Sequence, residues 1–424
     1  MTTACGTTPE RLVIAGNGMA AQRLLECLSG RQPRPGDIRV FGDEPAPAYN
    51  RIMLSPLLAG EIDDDAIALR PPQWYEEHGI RLHCGRRLVA IDREAQTVTD
   101  DRGERHGYDR LVIATGSRSR FFDLPGAGLD GILGFRTTAD VERLVEASRN
   151  GDSAVVIGGG LLGLEAAEGL RKRGMAVTVV HRSPFLMNRQ LDEKAAELLA
   201  TELERRGLEL RLGRQPAAFE CANNGVSKSA EGGRVARVVL DDGERLPTDL
   251  VVMAAGIVPN AELGFEAGLE GTRAIGVNDA LTTSDPHINA LGECCEFEHT
   301  TFGLVDPIWA QVEVLVERLC GADARYALTP SATRLKVSGI DLYAFGALEP
   351  APGDEVLRYL DAEAGDYRRL ILRHNRLVGA VLYGDTRDGP WYFRQSLDRR
   401  DLTACRHTLI FGAADATQQL EEAA

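Results

Sequence analysis

The sequence has no long hydrophobic run. A membrane-spanning helix needs roughly 18 consecutive apolar residues, and no stretch of the chain comes near that length; the mean hydropathy is -0.18. The N-terminal segment is polar and lacks the apolar core of a secretory signal. We therefore expect a cytoplasmic protein with no membrane partner.

Positive charge is also scarce. The 424-residue chain has 48 Lys and Arg residues against 63 Asp and Glu residues, which gives a formal net charge of -15. Binding to the phosphates of nucleic acid needs a basic face, so we expect no nucleic-acid partner. The hydrophobic share of 44% is ordinary for a folded protein and excludes global disorder.

Cysteine motifs are missing. None of the eight cysteines belongs to a C-x-x-C or C-x4-C pair, and no histidine lies at zinc-ligand spacing from two of them. We therefore expect no metal site, no iron–sulfur cluster and no redox-active disulfide. We predict that most of the cysteines, including the adjacent Cys294 and Cys295, are buried apolar residues.

Glycine is plentiful, with 45 residues, and two glycine turns carry a dinucleotide-binding pattern. Each follows a short apolar strand and opens a helical stretch, so each predicts a βαβ unit. Such a turn lets the backbone approach a pyrophosphate, which the helix N-terminus then binds. The first turn has Gly16, Gly18 and Ala21 as its pattern residues, and the second has Gly158, Gly160 and Gly163. Leu162, at a variable position of the second turn, is a further candidate for cofactor binding.

The end of the second strand of each unit should face the ribose of the dinucleotide. In the first unit this position holds Asp43 and Glu44, and a carboxylate there binds the ribose diol. In the second unit it holds His181, followed by Arg182. An acid would repel a 2′-phosphate and an arginine attracts one, so the sequence leaves both NADH and NADPH open as the nucleotide.

Two dinucleotide sites in one chain predict a flavoprotein, with FAD in the first site and a nicotinamide nucleotide in the second. The fold class predicted is α/β, with two Rossmann-like domains and a small C-terminal α+β domain. We assign residues 8–117 and 249–323 to the FAD domain, 118–248 to the NAD(P)H domain and 326–424 to the C-terminal interface domain. A further buried strand, predicted at 250–255, ends at Gly256.

Longer strings resemble a known family. The segments 49–61 (YNRIMLSPLLAGE), 186–192 (LMNRQLD), 292–294 (GEC), 303–309 and 372–386 resemble the NAD(P)H nitrite reductase large-subunit family. That family belongs to the glutathione-reductase-like flavoproteins, which have two dinucleotide-binding domains. The resemblance covers about residues 10–412 and is confined to the FAD and NAD(P)H reductase part of the family.

The resemblance implies roles for individual residues. Glu165 would lie near the junction of nicotinamide and flavin, and Trp309 would pack against the flavin ring. Arg51 would balance the pyrophosphate charge, and Glu293 would accept a hydrogen bond from the flavin's ribityl chain. The residues lining FAD would be Gly16, Gly18, Ala21, Glu44, Arg51, Ser55, Ala114, Thr115, Gly116, Gly292 and Glu293.

The chain also departs from relatives of this family. Pro56 stands where many ferredoxin-reductase-like proteins have a lysine, and the segment around Asn50 lacks the nucleophilic cysteine of the disulfide reductases. The flavin should then be the only redox centre, and electrons should pass to a separate redox protein, a nitrate or nitrite reductase component. A rubredoxin or ferredoxin reductase, and a non-catalytic flavin-binding sensor or assembly subunit, are the alternatives. A homodimer is left open.

Overall fold

The computed structural model describes residues 10–222, 233–337 and 339–422. The chain divides into two compact units. The first unit comprises Met1–Leu54, Asp63–Arg118 and Ile257–Thr329. The second unit comprises Ser55–Ile62, Ser119–Gly256 and Pro330–Ala424. Among the described residues, no helix is both long and apolar enough to cross a bilayer.

The first unit is built on a five-stranded parallel sheet. Its central strand is fully buried along Leu12, Val13 and Ile14, as expected for a parallel sheet covered on both faces. The helix Met19–Ser29 is amphipathic, and its Leu24, Leu25 and Leu28 are fully buried in this core. The strands, in their order across the sheet, are Ile288–Ala290, Arg110–Ile113, Arg11–Ala15, Asp37–Phe41 and Ile80–His83.

The second unit holds a parallel sheet of the same size. Its central strand carries three consecutive valine or isoleucine residues, Val155, Val156 and Ile157, with at most 3% exposure. These β-branched residues fit a strand buried on both faces. The strands, in sheet order, are Glu209–Leu212, Ala176–His181, Ser153–Ile157, Leu250–Met253 and Ile132–Gly134.

The pairing of one strand corrects a predicted boundary. Leu250–Met253 runs parallel to Ser153–Ile157, with Ala154 opposite Leu250. It therefore belongs to the second sheet, and the boundary predicted between residues 248 and 249 is wrong for this strand. An apolar strand in a parallel sheet pairs with partners far along the chain, so local pattern alone does not assign it to a sheet. The division into three domains otherwise stays a prediction.

The C-terminal segment of the second unit forms an antiparallel sheet of five strands. The sequence there has three short apolar runs, 356–360, 367–372 and 377–382, and each lies within a strand of this sheet. Two preceding strands complete the sheet. His374 and Asn375 have φ values of 50° and 58°, which is the left-handed conformation of a tight hairpin turn. In sheet order the strands are Ala332–Val337, Ile340–Gly346, Arg376–Tyr383, Asp366–Arg373 and Glu355–Asp361.

Smaller elements complete the two units. Three antiparallel or mixed sheets have three strands each. Their strands are Leu88–Asp92, Thr97–Asp100 and Arg105–Gly107; Pro216–Cys221, Val235–Leu240 and Arg245–Pro247; and Ile275–Val277, Cys295–Phe297 and Thr300–Thr301. Two further short strands are Ser117–Ser119 and Ile257–Pro259.

The helices include two that follow the glycine turns, Met19–Ser29 and Leu161–Lys172. The other α-helices are Leu54–Ala59, Pro72–Glu77, Thr138–Asn150, Glu193–Arg205, Glu262–Glu266, Val305–Leu319, Gly389–Leu397 and Ala413–Glu422. Short 3₁₀ turns occur at Arg51–Met53, Asp64–Ile67, Gly292–Cys294 and Leu409–Phe411.

Candidate functional site

The first glycine turn has the geometry of a pyrophosphate cradle. Gly16 has a φ of +111°, and a Cβ there would lie 2.2 Å from the carbonyl oxygen of Ala114. Only glycine therefore fits this position. Gly18 directly precedes the helix Met19–Ser29, and a Cβ there would meet no atom within 4 Å. The backbone at Gly18 is thus open to a ligand, at the positive end of the helix.

Asn17 lies between these two glycines. Its side-chain oxygen and nitrogen are both buried, and neither has a hydrogen-bond partner. Buried polar atoms without partners are rare in proteins, because they lose their hydrogen bonds to water. The open backbone at Gly18 and the unpartnered amide of Asn17 together fit a dinucleotide such as FAD at this turn.

The carboxylate predicted to bind the ribose belongs to a three-residue network. Arg51 Nη2 donates to Glu44 Oε1 at 2.5 Å, and the Tyr49 hydroxyl donates to Glu44 Oε2 at 2.7 Å. Arg51 Nη1 in turn donates to the Tyr49 oxygen at 2.9 Å. Burial opposes the charge of Arg51, but Tyr49 and Glu44 raise its pKa overall. Arg51 therefore keeps its charge in a half-buried position beside the first dinucleotide turn.

The structure brings together Glu44 and Arg51, two of the predicted site residues. Asp43, the other predicted ribose ligand, is exposed. Tyr49 was not predicted as a site residue. The string Y-N-R contains it, but its bond to Glu44 depends on how the segment folds back onto the strand end, and no local pattern shows that.

The segment Ala114-Thr115-Gly116 is fixed by Asn260. The Thr115 hydroxyl donates to the Asn260 carbonyl at 2.6 Å, and the Asn260 side chain donates to the Thr115 carbonyl at 2.9 Å. The Asn260 backbone N–H donates to the Gly116 carbonyl. These reciprocal bonds hold the turn after the strand Arg110–Ile113, at the carboxyl edge of the sheet where the first glycine turn also lies. Sequence reasoning missed Asn260.

Glu293 occupies the 3₁₀ turn at the end of a neighbouring strand of the same sheet. Its Oε2 accepts a hydrogen bond of 2.9 Å from the Ser117 hydroxyl. Gly292 has a φ of +87°, and its N–H donates to the fully buried Gln311 side chain at 2.8 Å. Gln311 is thus a supporting residue that sequence reasoning missed. Trp309, on the same helix as Gln311, is partly buried against the core, and its contact with a flavin ring stays a prediction.

The second glycine turn repeats the geometry of the first. Gly158 has a φ of +132°, and a Cβ there would lie 2.3 Å from the Ala254 carbonyl oxygen. A Cβ at Gly160 would meet no atom within 4 Å, whereas one at Gly163 would lie 1.9 Å from the Gly158 carbonyl. The helix Leu161–Lys172 therefore packs so closely on the turn that the third pattern position must be glycine. Leu162 is half-buried on this helix, and Gly256 has a φ of +112° after the adjacent strand.

His181 holds this second turn. Its Nδ1 accepts a hydrogen bond of 3.1 Å from the Gly159 N–H, and its Nε2 lies 3.4 Å from Asn188 Oδ1. Burial lowers the pKa of His181, and Arg182 lowers it further against the opposing effect of Asn188. The ring is therefore neutral at pH 7, with its proton on Nε2. The sequence predicted a ribose-facing residue here, and the structure adds a turn-supporting bond.

Arg182 is exposed at the edge of a cavity of about 370 Å³. This cavity lies in the second unit, just beyond the end of the strand Ala176–His181. A second arginine, Arg214, borders it and pairs with Asp242 at 2.6 Å. The lining residues are Arg182, Ser183, Gly213, Arg214, Gln215 and Asp241. Two guanidinium groups and a hydroxyl can bind a phosphate, while the Asp241 carboxylate opposes it.

Glu165 stands one turn into the helix that follows the second glycine turn. Its Oε2 accepts a hydrogen bond of 2.5 Å from the Ser55 hydroxyl. Burial raises the pKa of Glu165 to about 7, against the opposing effect of the Ser55 hydrogen bond. Glu165 is therefore a carboxyl group that exchanges its proton near neutral pH, which suits it to acid–base work. Ser55 and Glu165 were both predicted as site residues, and the structure shows that they are paired.

One cluster elsewhere has the residue types of a metal site. Ligand atoms of Asp100, Glu104 and His106 lie within 4.8 Å of one another. Arg86, however, pairs with Asp100 and donates to Glu104 at 2.7 Å. Its guanidinium supplies the positive charge that a cation would bring, so we interpret the cluster as an ion-pair network at the edge of the first unit.

Residues 10–316 match the pyridine nucleotide-disulphide oxidoreductase family, and residues 330–395 match the rubredoxin NAD+ reductase C-terminal domain. The chain belongs to this oxidoreductase family. The predicted family and fold class, and the prediction that the protein is an oxidoreductase, are therefore confirmed.

The chain is also similar to individual members of the family. The assimilatory nitrate reductase electron transfer subunit of Bacillus subtilis (strain 168) is 40% identical over 402 residues, which is 95% of this chain and 51% of that protein. NAD(P)H nitrite reductase of the same organism is 39% identical over 395 residues, which is 93% of this chain and 48% of that protein. The chain spans about half the length of these curated relatives.

A solved structure matches the whole fold. The covalent putidaredoxin reductase–putidaredoxin complex contains a chain that aligns with a TM-score of 0.84 and 26% identity, over 98% of this chain and 99% of that chain. The match includes the C-terminal antiparallel sheet, which supports the predicted architecture as a whole. The roles of the individual site residues are not tested by these comparisons and stay predictions.

Proposed function

We propose that the protein is an FAD-dependent NAD(P)H:acceptor oxidoreductase. It passes electrons from NAD(P)H through FAD to a separate redox protein, which is a nitrate or nitrite reductase component. The observation that carries this proposal is the shared geometry of the two glycine turns: Gly16 and Gly158 are crowded by a strand carbonyl, and Gly18 and Gly160 are open. Two such cradles in one chain need two dinucleotides.

The surroundings of the two turns assign the two nucleotides. Glu44 and Arg51 beside the first turn supply a carboxylate for a ribose and a cation for a pyrophosphate. The second turn has His181 and Arg182 in place of a carboxylate, which suits either nicotinamide nucleotide. We therefore place FAD at the first turn and NAD(P)H at the second. FAD, when bound, accepts a hydride and releases electrons one at a time.

Glu165 and Ser55 carry the acid–base part of the proposal. A carboxyl with a pKa of about 7 is present in both protonation states at neutral pH. The Ser55 hydroxyl donates to the ionised form and can turn to accept from the protonated form. The pair thus holds a proton at Glu165 Oε2 or releases it without a change of partner. Trp309 is proposed to pack against the flavin ring.

The acceptor follows from the relatives. The first relatives are named for nitrate and nitrite reductase, and this favours nitrate or nitrite assimilation in the cytoplasm. A second candidate has its own support, because residues 330–395 match the rubredoxin NAD+ reductase C-terminal domain. A rubredoxin or ferredoxin is therefore the alternative acceptor. We propose residues 326–424 as the interface domain, which serves either the acceptor or a second copy of the chain.

The experiment compares acceptors under anaerobic conditions. The purified protein should be yellow, and NADH or NADPH should bleach its flavin absorbance. Reoxidation is then measured with a nitrate reductase catalytic subunit, a nitrite reductase component, a rubredoxin and a [2Fe–2S] ferredoxin, each at equal concentration. Fastest reoxidation by the nitrate or nitrite component supports the proposal, and fastest reoxidation by rubredoxin or ferredoxin assigns the alternative. A flavin that NAD(P)H does not bleach would leave only the non-catalytic binding role.

A further inference from the structure

The side-chain amide of Asn17 has no hydrogen-bond partner in the protein. Its Oδ1 and Nδ2 are both buried and lack partners. A buried donor or acceptor without a partner destabilises a fold, because the group has lost its hydrogen bonds to water. Asn17 carries two such atoms at the turn where the backbone is open. A buried amide without partners can form hydrogen bonds to the polar groups of a bound ligand.

The position of Asn17 shows which part of a ligand it would meet. A Cβ on Gly42 would lie only 2.7 Å from the Asn17 Cβ, so the Asn17 side chain packs directly on Gly42 at the end of the second strand. Two residues later stands Glu44, the proposed ribose ligand. On its other side, Asn17 adjoins Gly18, the proposed pyrophosphate position. Asn17 thus adjoins the proposed pyrophosphate position along the chain and packs against the residue two before the proposed ribose ligand.

We infer that Asn17 is a cofactor-binding residue, whose amide hydrogen-bonds the dinucleotide between its pyrophosphate and the ribose next to Glu44. This inference rests on the proposed function. An amide suits the position because Nδ2 donates to phosphate oxygens and Oδ1 accepts from a hydroxyl. Neither a hydrophobic side chain nor a carboxylate offers both bonds.

The competing interpretation is that Asn17 only fills space against Gly42. The two interpretations predict different effects of Asn17→Ala on the stability of the flavin-free protein. If Asn17 serves the ligand, Asn17→Ala removes two unpartnered polar atoms and leaves the stability of the flavin-free protein unchanged or raised. If Asn17 serves packing, the same substitution creates a cavity and lowers that stability.

The experiment measures FAD affinity and apoprotein stability in the full chain. Flavin is removed from the purified holoprotein, and FAD or ADP is titrated back. We expect Asn17→Ala to raise the Kd for FAD by about 10- to 100-fold, as the loss of one or two buried hydrogen bonds does. ADP contains the pyrophosphate and ribose but no flavin ring, so its Kd should rise by a similar factor. The Tm of the apoprotein should not fall.

Three further variants keep the test decisive. Asn17→Asp places a negative charge beside the pyrophosphate and should weaken FAD binding more than Asn17→Ala does. Asn17→Ser keeps one polar group and should be intermediate, so a poorly folding alanine variant does not end the test. Asn150→Ala is the control, since Asn150 is an exposed asparagine at a helix end in the second unit, and it should leave the Kd unchanged.

The outcomes separate the inference from the proposed function. An unchanged Kd for FAD with a lower apoprotein Tm in Asn17→Ala would show that the residue only packs, while the FAD assignment survives. A wild-type protein that binds neither FAD nor ADP would overturn both. A raised Kd for FAD with an unchanged Kd for ADP would move the contact to the flavin half and overturn the location inferred for the amide.

Discussion

The Ser55 hydroxyl donates a 2.5 Å hydrogen bond to Glu165 Oε2. Pro56 follows Ser55, so the residue next to the hydroxyl carries no charge. The hydroxyl is neutral, so its hydrogen bond only partly offsets the effect of burial on the carboxyl group. This explains physically why the pKa of Glu165 lies at about 7.

The first prediction concerns the acidity of Glu165. Ser55→Ala removes the hydrogen bond that opposes burial, so the pKa of Glu165 should rise above its value of about 7. The pH dependence of NAD(P)H-driven ferricyanide reduction should shift to higher pH. In infrared difference spectra, the band of the protonated Glu165 carboxyl should disappear at a higher pH than in the wild type. Ser55→Thr keeps the donor and serves as the control. A pH profile that is the same in both variants would show that the pair does not titrate in turnover.

The same pKa has a consequence for stability. Glu165 has a pKa raised from 4.5 to about 7 in the folded protein, so the fold favours its protonated form. Its contribution to stability is therefore lost as the pH rises from about 4.5 through about 7. Glu165→Gln removes this titration. Between these pH values the Tm of the wild type should fall relative to that of the variant, and a constant difference would contradict the raised pKa.

The second prediction compares Gly18 and Gly160, the glycines of the two turns at which a Cβ would meet no protein atom within 4 Å. Gly18→Val places a side chain where the contact between backbone and ligand is expected, and its Cβ would meet no protein atom within 4 Å. It should fold and be colourless. Gly160→Val makes the same change at the second turn, so it should stay yellow and lose bleaching by NAD(P)H. Flavin content and anaerobic bleaching measure the two effects, and a yellow Gly18→Val protein would remove FAD from the first turn.

The glycine turns could be predicted because their chemistry is local. Gly16, Gly18 and the helix that follows are contiguous, so the pattern contains the whole cradle. Asn260 could not be found in this way. It clamps Thr115 from 145 residues away, and its partners are brought close only by the folding of the first unit. Tyr49 was present in a family string, but its role arises from a bond to Glu44 that no spacing rule describes.

The strand Leu250–Met253 shows where the sequence pattern fails to predict the fold. Its apolar sequence predicted a buried strand, and the structure confirms the strand. Its sheet was assigned wrongly, since a buried parallel strand has the same hydrophobic pattern in either sheet. His181 is a similar case at the site. Its place at the end of the second strand of the βαβ unit was predicted, whereas its bond to the Gly159 N–H depends on the close approach of the turn.

The third prediction concerns the choice of nicotinamide nucleotide. Arg182 is exposed at the edge of the cavity that lies beyond the strand Ala176–His181. Arg182→Glu should therefore lower kcat/KM for NADPH about tenfold or more relative to kcat/KM for NADH. His181→Ala removes the acceptor of the Gly159 N–H and should lower kcat/KM for both nucleotides alike. Steady-state kinetics with both nucleotides tests this. Equal losses in Arg182→Glu would show that the arginine does not face a 2′-phosphate.

The fourth prediction concerns the contact between the helix Glu193–Arg205 and the C-terminal sheet. The Tyr367 hydroxyl donates to Asp192 Oδ2 at 2.7 Å, and both residues are buried in the second unit. Tyr367→Phe leaves the buried carboxylate with one partner fewer, so it should cost about 1–3 kcal/mol of stability. Thermal unfolding measures the loss. Tyr359→Phe, on the partly exposed edge strand, is the control and should change the Tm little.

The last prediction concerns the cysteines nearest the proposed flavin segment. Cys294 and Cys295 are fully buried in the core of the first unit. Burial raises the pKa of both thiols, so neither is a ready thiolate. A thiol-specific reagent should leave them unmodified in the folded protein, and Cys294→Ala or Cys295→Ala should retain most NAD(P)H-dependent ferricyanide reduction. Mass spectrometry of the labelled protein and the ferricyanide assay check the two points. Loss of activity in either variant with FAD still bound would reveal a thiol redox centre, and the flavin would then not be the only one.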